Sequence, residues 1–303
     1  MQAVHGTTAA PTRRRRPFPH LLSCIRFGEV LILQGSPLLG ALFSMRRLTV
    51  TSAAAVGLLA AGNICLVAHV FVLNDWSGMS ADLRDPNRTS SVFINRGVAR
   101  ARIGYLWMAL LALSLLVLGV LSWRTLTIAV LIACLSALYS APAAHIKGVP
   151  VLNSALHFAG GLLHFLLGYS VFSALDGRGI EIGCFLALVF TAGHLTHETR
   201  DSQSDGLNGI RTNAVRFGKG RSFIAGLVLF TVADVLLVVL ALRGIVPLPP
   251  VIVAALYPLH LYWSWQTMRV GLTFDSIRWL QVRYRLLYAA IGLMMVLMAL
   301  GAR

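Results

Sequence analysis

The chain alternates long apolar runs with short polar ones. Nine runs approach the roughly 20 residues that cross a bilayer as helix: 28–44, 48–73, 103–122, 125–142, 150–175, 180–198, 222–242, 249–268 and 286–302. Ser36-Pro37 interrupts the first, which predicts a kinked or partly re-entrant segment. Residues 1–27 hold Arg13 to Arg16 and several prolines, and are expected to be a basic segment without regular structure. No short apolar region with a small-residue cleavage site follows them, so they do not read as a signal peptide. Residues 28–303 then form one transmembrane unit, all-α and polytopic, with nine helices.

Composition excludes the soluble alternatives. Of 303 residues, 57% are hydrophobic and only 12% charged, and the mean hydropathy is +0.74. A soluble domain carries about 25% charge. Disordered, collagen-like, coiled-coil and disulfide-scaffold classes fail on the same grounds. The net charge is +15. In a soluble protein that would suggest nucleic acid. Here no nucleic-acid partner is expected, because the basic residues sort by side: 20 of the 26 fall in the N-terminal segment and the loops after spans 2, 4, 6 and 8. Loops retained in the cytoplasm are enriched in this way, so the N-terminus is predicted inside and the C-terminus outside. Cys24, Cys65, Cys134 and Cys184 have no CxxC spacing and read as small apolar residues.

The acids carry the first sign of chemistry. Six of the eleven fall in two segments, Asp75, Asp82 and Asp85 after span 2, and Glu198, Asp201 and Asp205 after span 6. On a helix Asn74, Gly78 and Asp82 share a face at i, i+4 and i+8, and Pro86 then ends the helix. Glu198, Asp201 and Asp205 fall at i, i+3 and i+7, a spacing at which like charges repel unless something positive lies among them. Arg200 and Arg211 could serve, and so could a divalent cation. Mg²⁺ takes one or two carboxylates and completes its shell with water and phosphate oxygens. The plainer alternative is a pair of solvated, salt-bridged helix ends. Two such clusters on one side of the membrane favour the metal reading.

These segments resemble the two aspartate-rich motifs of the UbiA superfamily of intramembrane prenyltransferases. The first motif, NDxxDxxxD followed by a proline and a basic residue, corresponds to Asn74-Asp75, Asp82, Pro86 and Arg88. The second, DxxxD followed by GxxT, corresponds to Asp201, Asp205, Gly209 and Thr212. Between them the family's YSxP segment with a nearby lysine corresponds to Tyr139-Ser140-Ala141-Pro142 and Lys147. The resemblance implies nine helices around a central cavity and active-site loops on the cytoplasmic side. It implies a polyprenyl diphosphate donor, Mg²⁺, membrane lipid as surroundings and a lipophilic, aromatic acceptor. Asn74, Asp82, Asp201 and Asp205 would hold metal, with Asp75 a metal ligand or its neighbour. Arg88, Lys147, His197, Arg200 and Arg211 would meet diphosphate. Three departures stand out: Gly78 replaces the middle aspartate, His197-Glu198 replaces Lys-Asp, and Ser202-Gln203-Ser204 lacks the usual Glu-Gly.

Other polar residues in the spans are candidates for the cavity, since intramembrane polar groups avoid lipid. Glu29, Asn153, His157 and Tyr139 are expected to line it or meet the acceptor. His157 and His164 share a face two turns apart, and His194 lies one turn before Glu198. Asp234 could pair with another helix. Tyr262, Trp263 and Trp265 form an interfacial or cavity-lining patch. A terpene cyclase of the same superfamily is the main alternative, favoured by the altered motifs. A transporter fits less well, because paired repeats and midplane broken helices are not evident. A non-catalytic isoprenoid-binding relative is the remaining reading.

Overall fold

All regular structure among the described residues is helical. Hydrocarbon offers no water to bond amides and carbonyls, so each spanning segment satisfies its own backbone. The computed structural model describes residues 19–84, 89, 92–141, 144 and 146–301. Arg13 to Arg16, Asp85, Pro86, Arg88 and Pro142 lie outside the described residues.

In chain order the helices are α1 (Pro19–Leu22), α2 (Phe27–Ile32), α3 (Gly35–Ser44), α4 (Val50–Asp82), α5 (Arg100–Leu121), α6 (Trp123–Ser140) and α7 (Leu152–Tyr169). They continue as α8 (Gly177–Leu207), α9 (Asn213–Phe217), α10 (Lys219–Leu242), α11 (Pro249–Ala254), α12 (Tyr257–Arg269) and α13 (Phe274–Gly301). A 3₁₀ turn, Ile146–Gly148, precedes α7. The short helix α1 lies inside the stretch expected to lack regular structure.

Seven segments among the described residues are long and apolar enough to cross a membrane: α2 with α3, then α4, α5, α6, α8, α10 and α13. Two of the nine expected spans fall outside this set. The fifth expected span is α7, only 18 residues long and carrying Asn153, His157 and His164. The run 249–268 is split, because in a continuous helix Pro258 would clash with the carbonyl of Ala254, where α11 ends. The predicted break in the first span is present. α3 restarts at Gly35, so Pro37 sits in its first turn, where a missing N–H is harmless.

α4 and α8 have 33 and 31 residues. At 1.5 Å per residue both run to roughly 45–50 Å, well past the ~30 Å hydrocarbon core. The acidic clusters are therefore the last turns of long helices rather than loops. Successive helices run antiparallel. His69 of α4 bonds the Trp107 carbonyl of α5, Tyr139 at the end of α6 packs on His157 near the start of α7, and Asn153 of α7 bonds Glu198 late in α8. At the far end Asp176 caps α8 through the Gly179 amide (2.8 Å) and accepts from Tyr169. The ends of α4, α6 and α8 thus share one side of the bundle with the starts of α5, α7 and α10.

The main core joins Leu59, Leu66, Leu118, Phe165, Phe185 and Leu237. Leu116, Val235, Leu286 and Leu293 are exposed on the periphery, as lipid-facing positions should be. A buried polar relay crosses the middle: Asn63 donates to Gln34 (2.8 Å) and accepts from His164 (2.9 Å), tying the α2–α3 break to α4 and α7. α3 and α7 approach so closely that a Cβ on Gly40 would collide with the Phe165 carbonyl, and one on Gly168 with the Pro37 carbonyl. Small residues allow such crossings where no hydrophobic effect drives helices together. Gly168→Ala should destabilise the protein by about 1–3 kcal/mol through overpacking. Gly160→Ala, on the same helix in open space, should not. Thermal unfolding of both in detergent checks this.

Candidate functional site

The carboxylate end is built around Glu198, which is 5% exposed. A buried carboxylate must be hydrogen-bonded or paired. Glu198 Oε1 accepts from Asn153 Nδ2. Its Oε2 accepts from the Asn213 backbone N–H (3.2 Å) and from Asn213 Nδ2 (2.8 Å). Asn153 also donates to the Lys147 carbonyl (3.2 Å) and accepts from Asn213 (2.9 Å). Asn213 Oδ1 in turn accepts from the Val151 N–H (2.7 Å). Val151 has φ 66°, a left-handed conformation that costs a β-branched residue energy. One acid therefore fastens the 3₁₀ turn, the start of α7, the end of α8 and the start of α9.

This network changes two expectations. Asn153 is fully buried and its amide is used inside the protein, so it does not line open space. Glu198 is engaged away from Asp201 and Asp205, which leaves those two as the carboxylates of the second cluster. Asn213, which sequence reasoning missed, follows directly on the Gly209–Thr212 motif. That adjacency was the available signal.

Two of the aspartates have arginine partners. Arg26 grips Asp75 with two bonds, Nη2 to Oδ1 and Nε to Oδ2, the latter 3.1 Å. By sequence Arg26 is one more basic residue of the N-terminal segment, and nothing in sequence spacing links positions 49 residues apart. Arg200 clamps its neighbour Asp201 (Nε to Oδ1 2.6 Å, Nη2 to Oδ2 3.0 Å) and reaches Gln281 of α13 (2.9 Å). Fork-on-fork pairing of this kind is the geometry that also suits phosphate. Asp205 is buried at 9%, and Asp82, the last residue of α4, is half-buried. Asn74 is half-buried one turn before Gly78. A Cβ on Gly78 would meet only Asp82 Oδ2, at 3.9 Å, so that face is open.

The remaining expected residues divide. His197 accepts from Arg285 of α13 (2.7 Å), which makes Arg285 the cation at that point. Lys147 lies in the 3₁₀ turn and is half-buried, while Arg211 is exposed after α8. Glu29 is exposed on α2, 3.8 Å from Arg26. Tyr139 packs edge-on against His157 (4.9 Å). Arg88 lies outside the described residues. Asp234 does pair with another helix, accepting from Tyr288 of α13 (2.7 Å). Among the described residues no three Asp, Glu, His or Cys side chains converge to hold an ion unaided.

Fold and site define a polytopic helical membrane protein with two acidic helix ends on one side. The model of the UbiA prenyltransferase family matches residues 35–273, and the chain belongs to that family. No curated protein matches it significantly in sequence. Among solved structures it is similar to a UbiA homolog from Archaeoglobus fulgidus bound to DMAPP and Mg²⁺, at 16% identity and TM-score 0.68, over 91% of this chain and 99% of that one. It is similar to the apo UbiA homolog from Aeropyrum pernix K1, at 17% identity and TM-score 0.72, over 89% and 98%. A digeranylgeranylglyceryl phosphate synthase shares the fold at 16% identity and TM-score 0.69, over 92% and 97%.

Glu198→Ala would strand both asparagines in a buried site. The expected loss is about 3 kcal/mol, in the range for breaking a buried charged network. Combining it with Asn213→Ala should cost less than the two single losses together, because the partners are shared. Denaturant or thermal unfolding of the three variants measures this.

Proposed function

We propose that the chain is an intramembrane prenyltransferase that moves a prenyl group from a polyprenyl diphosphate to a lipophilic, aromatic acceptor. The observation that carries this is the sharing of one bundle end by Asn74 and Asp82 of α4 with Asp201 and Asp205 of α8. Family membership and the DMAPP- and GPP-bound homologs support the donor class.

Mg²⁺ fits this donor set. The four groups are hard oxygen donors, and the open face beside Asp82 leaves room for ligand oxygens to complete a shell. Asn74 and Asp82 would hold one side and Asp201 and Asp205 the other. When bound, the ion neutralises charge building on the leaving diphosphate. Arg200, Lys147, Arg211 and Arg88 supply cations for its oxygens, with Arg26 and Arg285 now added. Asp75, gripped by Arg26, acts as the group that holds this arginine in place. The apolar interior between the helices keeps water from the allylic centre and takes the chain of the substrate. The basic loops assign this end, and the N-terminus, to the cytoplasm.

The missing side chain at Gly78 favours a second reading, a terpene cyclase in which an alkene of the donor is the nucleophile. Purified protein with Mg²⁺ and a panel of prenyl diphosphates decides. Pyrophosphate release tied to an added acceptor supports transfer, and a hydrocarbon or terpene alcohol from donor alone supports cyclisation. Asp201→Ala and Asp205→Ala should each lower release by about 10²–10³-fold, as loss of a transition-state charge stabiliser does. Release unchanged in both would sink either enzyme. Gly78→Asp should lower the Mg²⁺ concentration for half-maximal release, with little change in melting temperature.

A further inference from the structure

One face of α8 continues inward from the aspartates: Asp205, Asp201, Glu198 and His194 follow at spacings of four, three and four residues. His194 thus lies about 10 Å deeper along the helix than Asp201. That depth suits the reacting carbon of a substrate whose diphosphate sits at the helix ends. His194 stacks on His157 of α7, with ring centroids 3.5 Å apart and planes 11° from parallel. Tyr139 closes one side of His157 edge-on, and Phe190 lies 5.6 Å away.

The hydrogen bonds define what His157 can do. Its Nδ1 is 2.9 Å from the Asn153 carbonyl oxygen, which can only accept. Nδ1 therefore carries the proton, and Nε2 keeps a lone pair. Among the described residues nothing bonds to Nε2. Behind the pair, Glu198 Oε1 lies 3.3 Å from His194 Nε2, close by but without a hydrogen bond between them. Asn153 holds both ends of this arrangement, orienting His157 through its carbonyl and Glu198 through its amide. The charged or titratable groups facing His157 are Tyr139 from α6, His194 and Glu198 from α8, with Lys147 of the 3₁₀ turn near His194.

We propose that His157 Nε2 is the base that takes the proton from a hydroxyl-bearing acceptor during transfer. This rests on the prenyl-transfer reading above. The donor C1–O bond breaks, and its electron pair leaves with diphosphate. A lone pair of the acceptor oxygen forms the new C1–O bond. The hydroxyl proton passes to Nε2 and then to solvent. Glu198 supplies the negative charge that a cationic imidazole pair requires.

The test uses the full chain in lipid nanodiscs with Mg²⁺, geranyl diphosphate, and 1-naphthol or 1-octanol as acceptor. Prenyl ether and pyrophosphate are measured together, and the ratio is the readout. In His157→Ala the ether formed per pyrophosphate released should fall about 100-fold, the lower range for loss of a general base. Added imidazole should restore part of it. His157→Gln, which can still donate to the Asn153 carbonyl, should show the same fall. An unchanged ratio in either variant overturns the proposal. So does parallel loss of ether and pyrophosphate in both, which would give His157 a role in ionisation or folding. Wild type that releases pyrophosphate but forms neither ether also overturns it. Wild type that releases no pyrophosphate fails differently, because the transfer reading itself then falls.

Discussion

A buried carboxylate with no water to solvate it organises the acidic end of this protein. Glu198 needs donors, and the structure supplies them from α7 and α9 through Asn153 and Asn213. Because both asparagines also bond backbone groups, satisfying one charge sets three chain segments at once. The strained Val151 turn and the Lys147 turn are held by the same few bonds. Removing water makes each bond stronger and each vacancy more costly, so such a network is rigid when complete.

Charge repulsion is managed differently outside this network. Asp75 and Asp201 each meet an arginine fork, one from a distant segment and one from the adjacent residue. Arginine is suited to this, being always charged and planar, with paired donors that match carboxylate and phosphate alike. The long overhangs of α4 and α8 carry these pairs past the hydrocarbon thickness while keeping them on rigid helices. Helical mounting makes positions one turn apart dependable, which short flexible loops would not.

Much of this was legible in residue pattern. Seven of the nine expected spans met the requirement of length and apolarity, and the first broke close to its proline. The two exceptions follow from polar content in α7 and from Pro258 in the first turn of α12. The helical spacing of Asn74, Gly78 and Asp82, and of Glu198, Asp201 and Asp205, was readable too. What could not be read was partnership. Arg26 looked like one more positive-inside charge, yet it holds Asp75. Glu198 looked equivalent to Asp201, yet it is turned into the interior. His197 looked like a cation, yet it accepts from Arg285.

The sequence by itself determined the solvent, the helical class, the breaks at proline and the helix faces that bear oxygen. These follow from local rules: apolar length, backbone hydrogen bonding and a period of 3.6 residues. Tertiary structure alone decided which acids are spent on folding and which stay at the helix ends, and that His157 stacks on His194. Those outcomes depend on distances between segments far apart in the chain. A donor and an acceptor cannot be matched until packing has brought them within about 3 Å.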